Sequence, residues 1–315
     1  VRRGADYLTT QKDVAEKAGV TVTTVSRVIN NRGYISDETR EKVYQVMDEL
    51  NYRPNAAARS LSKKRSNILG IILPDVSHPF FSSFLFHFEN YAYQKGYKIM
   101  LCNSQLQPEK EREYLNLLRA QQVDGIFLAS HTLDIAGEVK VDLPLITFDR
   151  EIEGIPYICS DNYQGVRIAV QHLIKSGSEE LVYIGGNMDL ALLSNKRYEG
   201  FKEHIEEKGF KCRIFETDIN SFERKAYPKL AEEVFAEYPK VDGIFAGSDL
   251  LAAAVVKEAL KRNINIPEDL KVIGYDGIDY LSLFTPEISS IRQPLKKIAK
   301  KAVEVLIEAA DGKEI

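Results

Sequence analysis

The sequence has few of the residues that build disulfide scaffolds and metal sites. Its three cysteines, Cys102, Cys159 and Cys212, lie far apart among 315 residues and form no Cys-X-X-Cys pair. An odd number of separated cysteines fits neither a disulfide framework nor a zinc module, and the five histidines show no metal-ligand spacing. We therefore expect small, buried, unpaired cysteines in a reducing cytoplasm, and no bound metal.

Long apolar runs and familiar cofactor loops are also missing. No apolar stretch approaches the roughly 20 residues that span a bilayer, and the first residues lead into no apolar segment. The sequence contains no GxGxxG, no GxSxG and no phosphate-binding P-loop pattern. We expect no membrane partner, no secretory signal and no cofactor.

The charge of the chain is unevenly distributed. Residues 1–65 contain 13 Lys and Arg against 8 Asp and Glu, a net charge of +5, whereas the rest of the chain carries −9. A small basic head on a larger acidic body indicates that one end of the chain meets a polyanion.

Three short helices are predicted within residues 11–50. Apolar residues recur at helical spacing near 11–18, in 22–30 and after Ser36, and Gly19 and Thr21 mark a tight turn between the first two helices. Short polar residues on the second helix complete the layout of a helix-turn-helix, whose second helix enters the DNA major groove. The alternative is a small helical module that binds protein. The following linker contains a stretch at 55–61 that is too short to be a stable helix without a partner.

From Ile68 the pattern alternates between buried strands and helices, and it restarts after Asp161. This predicts an α/β body with parallel sheets flanked by helices. The five residues Val123–Phe127 recur identically as Val241–Phe245. Their matching place in each half indicates two subdomains of similar topology, with a ligand cleft at the carboxyl ends of the strands.

Several motifs give the chain a specific resemblance. Lys12–Ala15, Thr24–Val28, Thr39-Arg40 and Tyr52–Leu61 resemble the corresponding segments of the LacI/GalR family of bacterial transcription repressors, and the likeness extends over about residues 10–311. The resemblance implies a near-palindromic double-stranded operator, a homodimer and a body like that of periplasmic sugar-binding proteins. It also implies that Val22, Thr23 and Arg27 read bases, and that Leu61, with Ala58 beside it, wedges into the minor groove. The predicted DNA-binding residues are Val22, Thr23, Thr24, Ser26, Arg27, Asn30, Asn55, Ala58 and Leu61.

The predicted boundaries follow from these patterns. They are 1–53 for the helix-turn-helix head, 54–66 for the hinge and linker, and 67–315 for the effector-binding and dimerisation body. Within the body we expect one subdomain at about 67–160 plus 290–311, and a second at 161–289.

Polar and aromatic residues cluster at the predicted strand ends and helix starts of the body. Carboxylates and guanidinium groups bond adjacent sugar hydroxyls, and aromatic faces cover the apolar faces of a sugar ring, so this mix predicts a sugar site. Helix capping is the alternative role for any single one of these residues. The predicted effector-binding residues are His78, Phe80, Phe81, Asp149, Arg150, Arg197, Phe222, Ser248, Asp276 and Gln293.

Most of these residues resemble the sugar-contacting positions of ribose- and fructose-type repressors. His78 and Ser248 depart from the ribose pattern. The segments Cys102–Gln105, Ser130–Leu133 and Ile291–Pro294 resemble sucrose-operon repressors. The expected effector is therefore a small sugar or sugar phosphate, of fructose, sucrose or ribose type. Some relatives use a phosphocarrier protein as corepressor, but no feature here indicates one.

The predicted function is repression of a sugar-utilisation operon, controlled by that sugar. A sugar-binding transport protein is the alternative, and the basic head counts against it. Asp149 and Asp276 could be read as a catalytic carboxylate pair. The neighbouring Arg150 instead favours an ionised, ligand-gripping Asp149, so we expect no enzyme.

Overall fold

The computed structural model describes residues 9–53, 65–130, 143–188, 192–217, 226–283 and 285–313. The chain divides into two compact units, a head at Val1–Ser66 and a body at Asn67–Ile315. The predicted hinge residues Asn55, Ala58 and Leu61 and the predicted effector residue Phe222 lie outside the described residues. No helix in the described ranges is both long and apolar enough to cross a membrane.

Within residues 9–53, the head has three helices: α1 (Gln11–Ala18), α2 (Val22–Ile29) and α3 (Asp37–Glu49). Each begins at a hydroxyl cap, because the side chains of Thr10, Thr21 and Ser36 accept a hydrogen bond from a backbone N–H of the first turn. Gly19 ends α1 with a φ of 65°, which lets the chain turn sharply into α2. The buried core of the head is Val14, Ala15, Ala18, Val25, Val28, Val43 and Val46.

The body contains two five-stranded parallel sheets. The first consists of β1 (Ile68–Leu73), β2 (Lys98–Asn103), β3 (Gly125–Leu128), β4 (Leu145–Phe148) and β5 (Tyr157–Ile158), in the order β2-β1-β3-β4-β5. The second consists of β6 (Glu180–Gly185), β7 (Lys211–Glu216), β8 (Gly243–Ala246), β9 (Lys271–Asp276) and β10 (Ser289–Arg292), in the order β10-β9-β8-β6-β7. The two orders are the same when read from opposite edges, so the predicted duplication of topology is confirmed.

Seven α-helices accompany these sheets in the described part of the body. They are α4 (Pro79–Gln94), α5 (Pro108–Ala120), α6 (Asn162–Lys175), α7 (Lys196–Glu207), α8 (Ala226–Glu237), α9 (Asp249–Lys261) and α10 (Leu295–Ala310). Proline at the first position of α4 and of α5 fits a helix start, where its missing N–H has no helical partner to lose.

The repeated five-residue motif has the same structural role in both halves, because its aspartate accepts backbone hydrogen bonds at the start of a neighbouring strand. Asp124 Oδ2 accepts a hydrogen bond from the Asn67 N–H, 3.0 Å away, at the start of β1. In the second half the Asp242 carboxylate accepts from the N–H groups of Glu179 and Glu180 at the start of β6. The motif therefore ties one central strand to its neighbour at the edge opposite the strand carboxyl ends.

The boundary between the subdomains differs from the predicted one near residue 290. Strand β10 pairs with β9 and so belongs to the second sheet, with Arg292 opposite Asp276. The chain returns to the first subdomain only after Gln293, where α10 packs against α4 and β3. The sequence does not reveal this boundary, because the pairing of β10 with β9 is a tertiary contact.

Candidate functional site

A cavity of about 160 Å³ lies between the two subdomains of the body. A single water needs roughly 10–15 Å³ of such volume, so the cavity has more than ten times the space that one water requires, enough for a small ligand. One part of its wall is aromatic and the other carries carboxylate, guanidinium, amide and hydroxyl groups. The lining residues include His78, Phe80, Phe81, Phe148, Asp149, Tyr183, Asn187, Ser194, Asn195, Arg197, Thr217, Tyr227, Ser248, Asp276 and Gln293.

Two carboxylates occupy equivalent places in the two halves. Asp149 directly follows β4, and Asp276 ends β9, the strand that corresponds to β4. Both have left-handed backbones, with φ values of 56° and 111°. A non-glycine residue in such a conformation costs about 1–3 kcal/mol and persists where the surrounding structure requires it, often at binding sites. The strain marks these two carboxylates as candidates for ligand contact.

Asp149 also bridges the subdomains. Its Oδ1 accepts a hydrogen bond from Asn162 Nδ2 at 3.3 Å, and its Oδ2 accepts from the Ser194 N–H at 3.2 Å. Its backbone carbonyl accepts from the Leu193 N–H at 3.0 Å. All three donors lie in the second subdomain, whereas Asp149 follows a strand of the first, so these bonds hold Asp149 across the cavity.

Asn162 connects the polar wall. Besides its bond to Asp149, its Oδ1 accepts from Arg197 Nε at 2.8 Å and from the Tyr275 hydroxyl at 3.2 Å. The Arg197 guanidinium lies 3.8 Å from the centre of the Tyr275 ring and donates to the Gly247 carbonyl at 2.8 Å. Asn162 was not predicted as a site residue, because a polar residue at a helix start looks like an ordinary cap. Its one signal is its position directly after Asp161, at the crossing between subdomains.

Gln293 lies where the chain crosses back to the first subdomain. Its Nε2 donates to Asp276 Oδ1 at 2.8 Å, and its Oε1 accepts from the Ser160 hydroxyl at 2.5 Å. Ser160 belongs to the other crossing segment. Gln293 thereby links the cavity carboxylate of Asp276 to both described crossings between the subdomains.

Arg150 differs from its prediction as an effector-binding residue. It is not among the described lining residues of the cavity. Its Nη1 instead lies 3.5 Å from Glu111 Oε1, in a pair whose side chains are 6% and 0% exposed. The sequence could not separate the two carboxylates, because Asp149 is adjacent along the chain whereas Glu111 approaches from α5.

Two predicted ligand residues also serve as helix caps. His78 Nδ1 accepts from the Phe80 N–H at 3.3 Å at the start of α4, and Ser248 Oγ accepts from the Leu251 N–H at 3.3 Å at the start of α9. Both still line the cavity. His78 and Ser248 therefore both cap a helix and line the cavity, so the two roles do not exclude each other.

Burial controls the titration of the polar wall. It raises the pKa of Asp276 to about 7, an effect that Arg197 opposes and that Asp249 strengthens. Burial by itself would lower the pKa of Arg197, but Tyr275, Asp276 and Asp149 raise it above its ordinary value. At neutral pH the cavity therefore holds a permanently charged guanidinium beside a carboxyl that titrates.

We expect this titration to appear in the stability of the unliganded protein. A folded pKa raised from the ordinary value of 3.8 to about 7 gives stability that is fully present below about pH 4 and is lost as pH rises through 7. The free energy of unfolding, measured by urea titration, should fall between pH 4.5 and 7.5. Asp276→Asn should remove on the order of a few kcal/mol of this fall. Asp242→Asn, which changes a carboxylate at the opposite edge of the sheet, should leave the decline in place. An unchanged slope in Asp276→Asn would contradict the raised pKa.

In the head, α2 presents the residues predicted to meet DNA. Val22, Thr23 and Arg27 are exposed, while Thr24, Ser26 and Asn30 are half-buried. The Thr24 hydroxyl lies 2.9 Å from that of Thr21. Asn30 Nδ2 donates to the Ser26 carbonyl at 2.8 Å, so Asn30 closes α2. None of the other described residues of the head bonds to the Arg27 guanidinium.

Known proteins resemble both units. The family model described as "Bacterial regulatory proteins, lacI family" matches residues 10–55, and that of a periplasmic binding protein-like domain matches 170–315. The sucrose operon repressor of Streptococcus mutans is 41% identical over 304 residues, covering 96% of this chain and 93% of the relative. The chain belongs to the LacI family of bacterial regulatory proteins.

Further relatives of this LacI-family chain agree. The ribose operon repressor of Halalkalibacterium halodurans is 36% identical over 309 residues, covering 98% of this chain and 92% of the relative. A solved periplasmic binding protein/LacI transcriptional regulator from Alkaliphilus metalliredigens, in complex with D-xylulofuranose, is 31% identical with a TM-score of 0.72. That alignment covers 79% of this chain and 92% of the solved one.

The family membership confirms the predicted class. The LacI-family chain is a DNA-binding transcriptional repressor with an α/β body like that of periplasmic binding proteins. Because the family consists of DNA-binding regulators, the prediction that the protein is not an enzyme is confirmed as well. The alternative of a transport protein is wrong, since the aligned relatives are repressors along nearly the whole chain, head included.

Proposed function

We propose that the protein represses a sugar-utilisation operon in the cytoplasm, and that a small sugar in the body cavity controls its operator binding. It acts as a homodimer on a near-palindromic operator, because symmetric half-sites require a symmetric protein. The observation that carries the proposal is the cavity wall, in which two strained carboxylates and Arg197 face aromatic side chains. Sucrose and ribose operon repressors among the relatives, and a relative holding D-xylulofuranose, support the same class of ligand.

The charges of the cavity favour an uncharged monosaccharide. Among the described lining residues, Arg197 is the single permanent cation, and it already bonds Asn162 and the Gly247 carbonyl. A phosphate group would meet Asp149 and Asp276 without a dedicated cation, whereas sugar hydroxyls would donate to both carboxylates.

The aromatic wall has a rigid support. Phe80 lies 5.8 Å from Phe148 between ring centres, and Phe148 packs in turn on Phe84 at 5.9 Å. Phe84 stacks on the fully buried Phe127 at 5.0 Å. A ring face held in this way loses little freedom on binding, so the apolar face of a sugar can pack on it without an ordering cost.

A panel of sugars tests the effector. A ligand that binds only the folded state raises its apparent stability, so thermal unfolding should shift upward with the effector. The panel is D-ribose, D-fructose, D-xylulose, sucrose and D-fructose 6-phosphate. We expect a monosaccharide to raise the unfolding temperature most and the phosphate to have the weaker effect. A shift with the phosphate alone would contradict the uncharged ligand.

On the DNA side, we assign base reading to the exposed face of α2, with Val22, Thr23 and Arg27 at its centre. Exposed side chains at the start of a recognition helix are those that reach base edges in the major groove. Asn55, Ala58 and Leu61 complete the assignment as the hinge, with Leu61 as an apolar wedge that bends the duplex.

Replacing Arg27 by alanine should weaken operator binding by about 1–3 kcal/mol, the range for a bidentate contact to guanine. Binding to random DNA should fall much less, and sugar affinity should stay the same. Fluorescence anisotropy with a selected operator and with random DNA measures both. Lys17→Ala is the matched control, because it removes a positive charge from α1 rather than from α2. Equal losses on operator and random DNA would make Arg27 a phosphate contact only.

A further inference from the structure

Asp249 is a buried carboxylate that does not belong to the described cavity lining. It is 1% exposed and begins α9, directly after the lining residue Ser248. Its Oδ2 accepts from the Ile278 N–H at 2.8 Å, and its Oδ1 accepts from the Ser290 hydroxyl at 2.5 Å. A helix start needs no buried carboxylate for its own cap here, because Ser248 already supplies one.

The hydrogen bonds of Asp249 hold the turn at Gly277 and Ile278, which directly follows the cavity residue Asp276. The Gly277 N–H donates a hydrogen bond to Ser290 Oγ at 3.1 Å, and the Ser290 hydroxyl in turn donates a hydrogen bond to Asp249 Oδ1. Gly277 follows with a φ of 68°, so two successive residues have left-handed backbones. Such a turn is strained at Asp276, and it persists only where neighbouring bonds fix it.

The packing around this turn leaves room for Asp249. A Cβ added at Gly274 would lie 2.4 Å from Asp249 Oδ1. At Gly277 a Cβ would lie 2.5 Å from Arg292 Cβ, in addition to the backbone strain. Strand β9 therefore packs closely against the Asp249 carboxylate, which is not among the described lining residues of the cavity.

We propose that Asp249 and Ser290 are positioning residues, which hold the turn after β9 and thereby aim the Asp276 carboxylate at the ligand. The inference rests on the proposed function, since it assigns a role within the same sugar site. Asp249 accepts hydrogen bonds from the Ile278 N–H and from the Ser290 hydroxyl. Ser290, on strand β10, accepts in turn from the Gly277 N–H and so connects the turn to Asp249. On the ligand side, Gln293 Nε2 donates to Asp276 Oδ1 and so fixes the other end of the same carboxylate.

The test compares Asp249→Asn with two variants of Ser290. Asparagine keeps the volume of Asp249 but places an NH₂ group against an N–H or O–H donor, so the turn loses one of its acceptors. Isothermal titration at 15 °C, with the sugar of the panel that shifts wild type most, should give about tenfold weaker binding for Asp249→Asn. Ser290→Ala should weaken binding by about threefold or more, and Ser290→Thr, which keeps the hydroxyl, should bind like wild type.

A pH profile separates positioning from mere stabilisation. The charged groups that face Asp276 are Arg197 from α7, Asp249 from α9 and Asp149 across the cavity. Ligand hydroxyls donate to the ionised carboxyl, so affinity should rise with pH around the Asp276 midpoint. Removing the negative charge of Asp249 should move this midpoint to lower pH. Carboxyl-carbon NMR of ¹³C-aspartate protein, assigned with Asp276→Asn, measures the same shift without any ligand.

The outcomes distinguish the inference from the function on which it rests. Asp242→Asn is the matched control, because Asp242 also accepts from backbone N–H groups but at the far edge of the sheet. It should cost stability without changing affinity or midpoint. If Asp249→Asn behaves in the same way, Asp249 is structural only and the inference is overturned, while the sugar site stands. If wild type binds no sugar of the panel, the proposed effector fails, and the NMR midpoint alone then decides whether Asp249 acts on Asp276.

Discussion

Glu111→Ala should destabilise the body by about 3–5 kcal/mol, the cost of leaving one member of a buried ion pair without its partner. Glu111 is fully buried on α5, and the Arg150 guanidinium 3.5 Å away is 6% exposed. Burial also lowers the pKa of Arg150, yet a guanidinium stays charged and has to find another acceptor. Urea unfolding at pH 7 measures the loss.

The double variant Glu111→Leu with Arg150→Met is the control for this prediction. Replacing both charges by apolar groups of similar volume often leaves stability unchanged or raises it, so most of the loss should be recovered. Sugar affinity of the double variant should stay close to wild type, because Arg150 is not among the described lining residues. The result that would contradict this assignment is a loss of stability below about 1 kcal/mol in Glu111→Ala together with weak sugar binding in the double variant. Arg150 would then be a ligand-binding residue of the cavity.

Asp276→Ala should abolish the response to sugar while leaving a repressor that stays on its operator. The substitution removes the acceptor for sugar hydroxyls, and losing a charged hydrogen-bonding partner costs about 1.5–3 kcal/mol, or roughly 10- to 150-fold in affinity. The head has its own buried core, and none of the described lining residues of the cavity comes from it. Titrating the sugar into an anisotropy assay with labelled operator measures the release.

Asp279→Ala is the matched control for Asp276→Ala. Asp279 carries a carboxylate three residues further along and pairs with Arg292 at the surface, with 85% of its side chain exposed. Its loss should change neither DNA binding nor sugar release, because exposed pairs contribute little. If Asp276→Ala releases operator at the wild-type sugar concentration, the sugar does not bind where we place it. If it requires an added protein to bind operator at all, a corepressor controls the repressor instead.

The parts of the fold that the sequence predicted are those with long, strongly periodic patterns. The first two helices of the head, predicted near 11–18 and in 22–30, are α1 and α2 of the structure, and the repeated motif at 123–127 correctly indicated two equivalent halves. The two-residue strand β5 was missed, because so short a segment has no periodicity to detect. Strand β10 was assigned to the wrong subdomain, since its pairing with β9 depends on a tertiary contact.

In the candidate site, too, local sequence position predicted some residues, whereas others depend on tertiary contacts. Asp149, Asp276 and Gln293 were found from their positions at strand ends, because parallel strands of one sheet bring their carboxyl ends to a common edge. Asn162 was missed and Arg150 was placed in the cavity, because the direction of each side chain depends on partners distant in sequence, Arg197 for the first and Glu111 for the second. The left-handed backbones of the two aspartates have no sequence signal beyond the tolerance of Asp for that conformation.

Operator release by sugar tests the account most directly. Labelled operator is bound by wild-type protein, by Asp276→Ala and by Arg27→Ala, and each complex is titrated with the sugar that stabilises wild type most. The account predicts that sugar shifts the operator affinity of wild type, that Asp276→Ala binds operator normally but ignores the sugar, and that Arg27→Ala binds sugar normally but holds operator weakly. Operator affinity that stays constant while the same sugar saturates the wild-type cavity would contradict it.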